Sequence, residues 1–337
     1  MIKLGIIYGG ISTEHDVSIM SAKSILENLN KEKYEIHEIY INEYGKWFEI
    51  QNGEKEEIYN LIWTLKELDV VFPILHGIGG EDGTIQGMLE MLKVPYVGCG
   101  VLASAVGMDK VYSKIIFKEV GIQQAKYLVI YYKNDKYYIR ENGIGEELKF
   151  EKMIEKLKFP MFVKPSNSGS SVGVKKANDV NELKLAIENA SKYDRKIIIE
   201  EGIKGKEVEC AILEKKDEII ASTVGEIKSA EEFYSFDAKY NIPNSQTIIP
   251  AKIEKKLIEE IQKNAIKAFK SIDGRGLARV DFFIEEGTNN IYINEINTMP
   301  GFTKISMYPK LFESDKISYS ELLDILINYA INKFDFT

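Results

Sequence analysis

GLARVDFFIEEGTNNIYINEINTMPGFTKIS, residues Gly276–Ser306, has the pattern of a β-hairpin. Two runs rich in β-branched and aromatic residues, ARVDFFI and IYINEIN, flank a polar turn that contains glycine. Because strand side chains alternate between faces, Arg279 and Asp281 share one face of the first strand, and Glu295 and Asn297 share one face of the second. Antiparallel pairing then places Asp281 opposite Glu295 or Asn297, with the other residue diagonal to it.

The polar residues of this hairpin suit a hard cation. Asp281, Glu295 and Asn297 bring two carboxylates and an amide oxygen to one patch. Mg²⁺ prefers oxygen ligands, usually carboxylates combined with substrate phosphates and water. Two carboxylates that face each other also repel unless a cation lies between them. The pattern therefore predicts a Mg²⁺ site, and the alternative is a solvated face with ordinary surface acids.

The composition is that of an ordinary globular protein with a small-molecule partner. The chain has 337 residues, 45% hydrophobic and 28% charged, which predicts two or three domains of about 100 to 200 residues. A net charge of -8 argues against a nucleic-acid-binding surface. Cys99 and Cys210 lack metal-ligand spacing and are predicted to be buried thiols.

The N-terminus MIKLGIIYGG is predicted to be a first strand and not a signal peptide. The sequence has no run of about 18 apolar residues, so no membrane span is expected. We therefore expect a cytoplasmic protein.

Strands and helices alternate over residues 1–100, which predicts an open parallel sheet with its ligand at the carboxyl ends of the strands. Two glycine-rich loops lie there, GGISTEHDVS and LHGIGGEDGT. A dinucleotide fingerprint is absent. Glu14, in the first loop, is either a functional residue or a helix cap. His76 directly follows a strand in the second loop, a position more typical of function than of structure.

Residues 101–185 contain a second strong motif, VKPSNSGSSVGV. Lys164 ends an apolar strand, and the loop after it includes Gly169, Ser170 and Ser171. Backbone N–H groups and hydroxyls of such a loop can hold phosphate oxygens, and the small residues make it mobile enough to act as a lid. Lys110 lies on a predicted helix that runs through SAVGMDKVYSKIIFKEVG. The alternative is a plain hairpin turn.

Residues 186–337 contain a helix, the strands KIIIEE and EVECAIL, and later the hairpin and two further helices. Backbone between Glu200 and Ile203 could read an adenine edge, and Glu207 could accept hydrogen bonds from ribose hydroxyls. The polar segment 227–249 carries several aromatic residues, including Phe233 and Tyr240. Such a long connection is typical of an active-site cover, with a flexible solvent loop as the alternative.

Eight motifs follow one another along nearly the whole chain: GGISTEHDVS, LHGIGGEDGT, MDK, VKPSNSGSSVGV, IIIEEGIKGKEVE, FDAKY, RVDFF and NEINTMPGFTKIS. Together they resemble the D-alanine:D-alanine ligases of the ATP-grasp superfamily. The resemblance implies an α/β fold of three domains, 1–100, 101–185 and 186–337, with ATP between the second and the third. It further implies ATP-dependent ligation of two D-alanines through a D-alanyl phosphate, for peptidoglycan precursor synthesis.

The resemblance also implies a role for each matching residue. The nucleotide would be bound by Lys110, Lys164, Ser170, Ser171, Glu200, Ile203, Glu207 and Phe233. Two Mg²⁺ or Mn²⁺ ions would be held by Asp281, Glu295 and Asn297. The reacting groups would be bound and stabilised by Glu14, His76, Lys239, Arg279, Gly301, Ser306 and Met307. Glu14, Ser170 and Tyr240 match a hydrogen-bonded trio that tethers a lid.

Some points stay open within the family. Tyr240 resembles the D-alanine-selective members, whereas D-lactate ligases tend to carry another residue there. Glu201 departs from the lysine common at this position, so contacts to adenine can differ. A K⁺ site occurs in some members, and a homodimer is a family expectation. The rival hypotheses are a D-lactate or D-serine ligase, a catalytically silent nucleotide-binding regulator and an ATP-grasp carboxylase.

Overall fold

The computed structural model describes residues 1–134, 136–141, 144–148, 150–216, 218–228 and 246–333. Three predicted site residues, Phe233, Lys239 and Tyr240, lie outside these ranges. The described part of the chain forms three sheets of five, six and five strands. No helix within it is long and apolar enough to cross a membrane. Cys99 and Cys210 are both buried, as predicted.

The first unit is a sheet with the strand order β4-β3-β2-β1-β5. Its elements are β1 (Ile2–Gly9), α1 (His15–Asn28), β2 (Tyr34–Ile41), β3 (Trp47–Gln51), β4 (Glu54–Glu57), α2 (Leu61–Lys66), β5 (Val70–Pro73) and α3 (Thr84–Leu92). The predicted parallel sheet is confirmed, because β1 pairs in parallel with both β2 and β5. An antiparallel edge hairpin, β3 and β4, was not predicted. Both loops of interest follow strands at the carboxyl edge of this sheet.

Two helices connect the first unit to the second, α4 (Val101–Met108) and α5 (Lys110–Glu119). The sequence predicts one continuous helix here, and the structure shows a break at Asp109. The Asp109 backbone is extended, with φ -85° and ψ 100°, and its carboxylate accepts hydrogen bonds from the N–H groups of Val111 and Tyr112. Asp109 therefore ends one helix and caps the next, which makes Lys110 the first residue of α5.

The central unit is a sheet with the strand order β10-β9-β11-β6-β7-β8. Its elements are β6 (Tyr127–Lys133), β7 (Lys136–Glu141), β8 (Ile144–Leu148), α6 (Phe150–Ile154), β9 (Met161–Pro165), β10 (Lys175–Ala177), α7 (Val180–Ala190) and β11 (Lys196–Glu201). Strand β11 pairs with both β6 and β9. The KIIIEE strand thus belongs to the central sheet, although the predicted boundary at 185 assigns it to the C-terminal subdomain.

The third unit is an antiparallel sheet with the order β14-β13-β12-β15-β16. Its elements are β12 (Gly205–Lys215), β13 (Glu218–Lys228), β14 (Gln246–Ile248), α8 (Lys255–Ser271), β15 (Leu277–Glu285), β16 (Ile291–Asn297), α9 (Met307–Ser314) and α10 (Tyr319–Lys333). Strands β15 and β16 are the predicted hairpin, with Asp281 directly opposite Glu295 and Arg279 opposite Asn297.

The hydrophobic cores do not follow the three sheets one by one. One core joins Leu4 and Phe72 of the first unit to Phe302 and Leu326 of the third. Helices α4 and α5 contribute to a second core under the third sheet. The central sheet has a core of its own, drawn only from Ile130 to Ile199. The division at residues 100 and 185 stays a prediction.

Candidate active site

A cavity of about 460 Å³ lies between the central and third sheets. Its predicted lining residues come from four of the sequence motifs. The cavity brings together Lys110, Lys164, Ser170, Ser171, Glu200, Ile203, Glu207 and Glu295. A cavity of this volume is within the usual range for a small-molecule site. The structure thus collects in one place residues that lie up to 185 positions apart in the chain, from Lys110 to Glu295.

Two lysines hold the Glu200 carboxylate at the wall of this cavity. Lys114 Nζ lies 2.8 Å from Glu200 Oε1, and Lys164 Nζ lies 2.7 Å from Oε2. Burial opposes ionisation of Glu200, but the two ammonium groups outweigh it and lower its pKa to about 2. The Glu200 side chain thus holds the two lysines in place, so only its backbone remains a candidate for adenine binding.

Sequence reasoning missed Lys114, which is only 2% exposed in its side chain. Burial lowers its pKa, against the attraction of Glu200. The one available signal was its spacing, since Lys110 and Lys114 are four residues apart and share a face of α5. Between them and after them the buried residues Val111 and Phe117 indicate that this face points inward.

The Gly/Ser loop after Lys164 is bound by Lys110, whose Nζ donates to the Ser168 carbonyl at 2.8 Å. Ser170 and Ser171 both have left-handed backbones, with φ 45° and 61°. Non-glycine residues rarely adopt this conformation, which costs about 1 kcal/mol or more for each. Consecutive strained residues in a loop that lines the cavity indicate a conformation fixed by its surroundings.

Glu14 crosses from the first unit to this loop. It occupies the N-cap position of α1 but makes no side-chain capping bond, and its Oε1 instead accepts a hydrogen bond from Ser170 Oγ. A Cβ at Gly169 would lie 2.4 Å from Glu14 Oε2, so glycine permits the close approach. The capping alternative for Glu14 is therefore wrong, and two members of the predicted trio are in contact.

His76 is buried, and both of its ring nitrogens are engaged. Nδ1 lies 3.2 Å from the Met299 carbonyl, and Nε2 lies 3.0 Å from Ser21 Oγ. A carbonyl only accepts, so Nδ1 carries the proton and Nε2 accepts from the Ser21 hydroxyl. Burial lowers the pKa of His76 to about 4, and the ring is neutral. Ser21 Oγ also accepts from the Phe302 N–H at 3.2 Å, so this pair fixes both ends of the segment around Gly301.

Glu81, in the same glycine-rich loop, was not singled out from the sequence. Its carboxylate accepts hydrogen bonds from the N–H of Gly77 at 2.8 Å and of Met299 at 3.3 Å. Burial and the nearby Glu14 raise its pKa to about 8. Glu81 and His76 thus attach the N-terminal loop to the segment that follows the hairpin.

The hairpin face carries alternating charges. Arg279 donates through Nε and Nη2 to both oxygens of Asp281, each at 2.7 Å. Asn297 Nδ2 lies 3.0 Å from Asp281 Oδ2, and Lys110 Nζ lies 3.2 Å from Glu295 Oε2. The donor set of two carboxylates and one amide fits a hard cation, with the remaining ligands supplied by phosphates and water. Within the described ranges no group of three or more His, Cys, Asp or Glu side chains is arranged as a metal site by itself.

Ser306 and Met307 begin helix α9 beside Gly301. Ser306 Oγ accepts from the Thr303 N–H at 2.9 Å, and a Cβ at Gly301 would lie 2.9 Å from the same oxygen. Met307 is buried and packs over Gly225 of β13. The predicted second-substrate residues are therefore neighbours of the predicted oxyanion donor, as the motif order requires.

The fold and this cavity define an ATP-grasp protein, with the cavity between two α/β units and a Gly/Ser loop in its lining. Comparison with known proteins identifies the family. Residues 3–99 match the model of the D-ala D-ala ligase N-terminus, and residues 116–328 match that of its C-terminus. The chain belongs to the D-alanine–D-alanine ligase family.

Individual relatives match this chain over nearly its whole length. The D-alanine–D-alanine ligase of Acetivibrio thermocellus is 49% identical, over 98% of this chain and 96% of the relative. The crystal structure of the VanG D-Ala:D-Ser ligase from Enterococcus faecalis has a TM-score of 0.83 and 34% identity, covering 98% and 99%. That of the Bacillus anthracis D-alanine–D-alanine ligase complexed with ATP has a TM-score of 0.80 and 32% identity, covering 99% of each chain.

Proposed function

We propose that this chain joins two D-alanine molecules into D-alanyl-D-alanine and converts ATP to ADP and phosphate, to supply a cell-wall precursor. Its membership of the ligase family makes it an ATP-dependent enzyme that acts on small molecules. The observation that carries the proposal is the junction of a lysine-lined cavity with a charged hairpin, through the Lys110–Glu295 contact of 3.2 Å. That contact joins a nucleotide site to a reaction site.

For the nucleotide, we propose that Lys110 and Lys164 bind phosphate oxygens and that Ser170 and Ser171 close over them. These groups line the same cavity, and charge neutralisation with positioning is the main requirement of phosphoryl transfer. At the far end of the cavity, the backbone of Ile203 would read adenine and Glu207 would bind ribose. Phe233 is assigned to the nucleotide from the resemblance alone.

Asp281, Glu295 and Asn297 would hold Mg²⁺ or Mn²⁺, and we propose two such ions. The bound cations would neutralise charge on the phosphates during transfer. Arg279 and Lys110 pair with Asp281 and Glu295 respectively. Both cationic side chains are therefore close enough to turn to the substrates once the carboxylates have other partners.

The first step is attack of one D-alanine carboxylate on the γ-phosphate of ATP, which gives an acyl phosphate and releases ADP. Glu14 would bind the ammonium of this D-alanine, and His76, being neutral and buried, would act through the Met299–Phe302 segment instead of through its charge. Lys239 is placed near the transferred phosphate by the resemblance only. The chain's own contribution to this step is to bind and orient the two reacting groups.

In the second step the amine of another D-alanine displaces phosphate. Arg279 and the Gly301 N–H would stabilise the oxyanion, and removing one such donor typically costs about 100- to 1000-fold in rate. Ser306, with Met307 beside it, would hold the carboxylate of this second substrate. The Glu14–Ser170 contact ties the first-substrate loop to the phosphate loop, and Tyr240 would complete that lid.

The experiment is Mg-ATP-dependent phosphate release with D-alanine alone, followed by competition with D-serine and D-lactate and identification of the products by mass. We expect D-alanyl-D-alanine as the main product near neutral pH. The likeness to a D-Ala:D-Ser ligase makes D-serine the informative competitor, with the mixed dipeptide as its product. A mixed product would move the chain to another substrate branch, and no phosphate release with any acceptor would contradict the proposal.

Glu295→Gln tests the metal assignment. The amide keeps the shape but loses the charge that binds a divalent cation, so we expect at least a 100-fold loss of Mg-dependent turnover with an unchanged far-ultraviolet circular dichroism spectrum. Glu285→Gln, at the exposed end of the same hairpin, is the control. Wild-type turnover in Glu295→Gln would refute the assignment.

Three further properties are proposed from the family alone: K⁺ binding, a homodimeric assembly and a cytoplasmic location. Dependence of the rate on K⁺ and light scattering of the purified protein would test the first two.

A further inference from the structure

Glu209 is a buried carboxylate that has no role in the proposed reaction. It lies on β12, directly opposite Asp281 of β15 and Gly225 of β13, and is 4% exposed. Its Oε2 lies 3.0 Å from Nε of Arg279. Met307 packs over Gly225 on the neighbouring strand. Glu209 therefore lies on the same face of the sheet as Asp281 and contacts Arg279, a predicted oxyanion donor.

Arg279 already has a complete partner in Asp281, which accepts from both Nε and Nη2 at 2.7 Å. A buried carboxylate costs several kcal/mol unless it is paired. Asp281 and Glu209 both lie within hydrogen-bond distance of the same guanidinium nitrogen, Nε, at 2.7 and 3.0 Å. Glu209 is therefore placed to keep that nitrogen when Asp281 takes another partner during the reaction.

We propose that Glu209 is the positioning residue that keeps the Arg279 guanidinium in the site while Asp281 serves as a cation ligand; this inference rests on the proposed function. Glu209 reaches Nε, the inner nitrogen of the guanidinium. While Glu209 binds Nε, the two terminal nitrogens of the guanidinium remain to bind the oxyanion of the tetrahedral intermediate. Without Glu209, Arg279 would either stay on Asp281 and compete with the cation or leave the site.

A double-mutant cycle tests whether Glu209 acts through Arg279. We expect Glu209→Gln to lower kcat about 10- to 100-fold, the usual effect of removing a group that orients a reacting residue, with little change in the KM for ATP. The yield of dipeptide per ADP should also fall, because the oxyanion forms in the second step. In the Arg279→Ala background, Glu209→Gln should change neither quantity further.

A spectroscopic readout is independent of turnover. The chain has four arginines, Arg140, Arg195, Arg275 and Arg279, so ¹⁵N-arginine labelling gives few Nε–H signals, and Arg279→Lys assigns the relevant one. In the wild type this Nε–H should exchange slowly with solvent both in EDTA and with Mg-ADP. In Glu209→Gln it should remain slow in EDTA, where Asp281 still holds it, and become at least tenfold faster with Mg-ADP.

Glu214→Gln is the matched control, on the same strand but bonded to the Gly276 N–H. It should leave kcat and the Arg279 signal unchanged. Glu209→Asp, which keeps the charge but is shorter by one methylene, replaces Glu209→Gln if the latter does not fold. The proposal would be overturned if Glu209→Gln lowered kcat equally in the wild-type and Arg279→Ala backgrounds. It would also be overturned if Glu209→Gln left the exchange rate of the Arg279 Nε–H unchanged both in EDTA and with Mg-ADP. Absence of dipeptide from the wild type would instead refute the proposed function, and the exchange experiment would still report on Glu209.

Discussion

Two clusters of buried charge lie beside the proposed ligand sites. Glu200 lies between Lys114 and Lys164 beside the proposed phosphate site. Arg279 lies between Asp281 and Glu209 at the proposed cation site. Removing one member of such a cluster leaves a buried charge with less compensation, which is costly.

Lys114→Met tests the first of these groups. The change leaves Glu200 with Lys164 alone, so that lysine is bound more tightly and is less available to phosphate. We expect about a tenfold higher KM for ATP and a loss of about 1 to 3 kcal/mol in the free energy of unfolding. Both are measured by steady-state kinetics and urea titration. Lys118→Met, on the exposed side of α5, is the control, and an unchanged KM in Lys114→Met would contradict the role of the lysine pair.

His76 makes stability depend on pH. The unfolded chain binds a proton at about pH 6.5, whereas burial lowers the folded pKa to about 4. The free energy of unfolding should therefore fall as the pH falls from 6.5 to 4, by about 3 kcal/mol, and level off below. His76→Gln keeps a donor and an acceptor but does not titrate. Urea titrations of both proteins across this range should diverge below pH 6.5, and parallel curves would show that His76 does not titrate as stated.

At the scale of single elements, local patterns were predictable and buried pairings were not. The hairpin followed from alternation, but its register near the turn, with Ile284 opposite Ile291, would place Asp281 opposite Asn294. A register shift between Asp281 and Phe282 moves the pairing by one residue, so Asp281 lies opposite Glu295, one of the two expected alternatives. The break at Asp109 was missed because the apolar periodicity of MDKVYSKIIF runs straight through it. Lys114, Glu81 and Glu209 were missed because each has a partner far away in the chain: Glu200, Met299 and Arg279 respectively.

Asp109 joins three elements, and removing it should affect all of them. It caps α5, accepts from Ser166 Oγ at 2.7 Å and pairs with the buried Lys196. Loss of a cap costs about 0.5 to 2 kcal/mol, and an unpaired buried charge costs more. We expect Asp109→Ala to lower the free energy of unfolding by about 3 kcal/mol or more.

The matched variant combines Asp109→Ala with Lys196→Met, which also removes the buried ammonium group that Asp109→Ala leaves without its carboxylate. Part of the lost stability should return in this double variant while the cap remains absent. Chemical denaturation of the wild type and the three variants gives the coupling directly. Additive losses would mean that Asp109 and Lys196 do not act as a pair.

At the scale of the whole molecule, the cores predict which parts move together. The first and third units share one core, while the central sheet is stabilised by its own. A unit with a separate core can open without the rest of the molecule. We therefore expect the central sheet, which carries Lys164 and the Gly/Ser loop, to be the part that moves over a bound nucleotide.

Hydrogen exchange measured by mass spectrometry tests this division. We expect peptides from β6, β9 and β11 to exchange as one group, faster than β1, β5, β12 and β15, and to slow when a non-hydrolysable ATP analogue is added. The strands of the first and third units should share one higher protection level. A single protection level for all three sheets would contradict the division.

The shared core also limits how this chain can recombine with its relatives. A chimaera joined at residue 100 would take Leu4 and Phe72 from one parent and Phe302 and Leu326 from the other. The hydrophobic core shared by the first and third units would then combine side chains from two different proteins. Exchange of the segment from β6 to β11 leaves that shared core intact, because the central core is inherited whole. The segment from β6 to β11 is therefore the part that can be exchanged between family members. The first and third units are far apart in sequence, but both must come from the same parent.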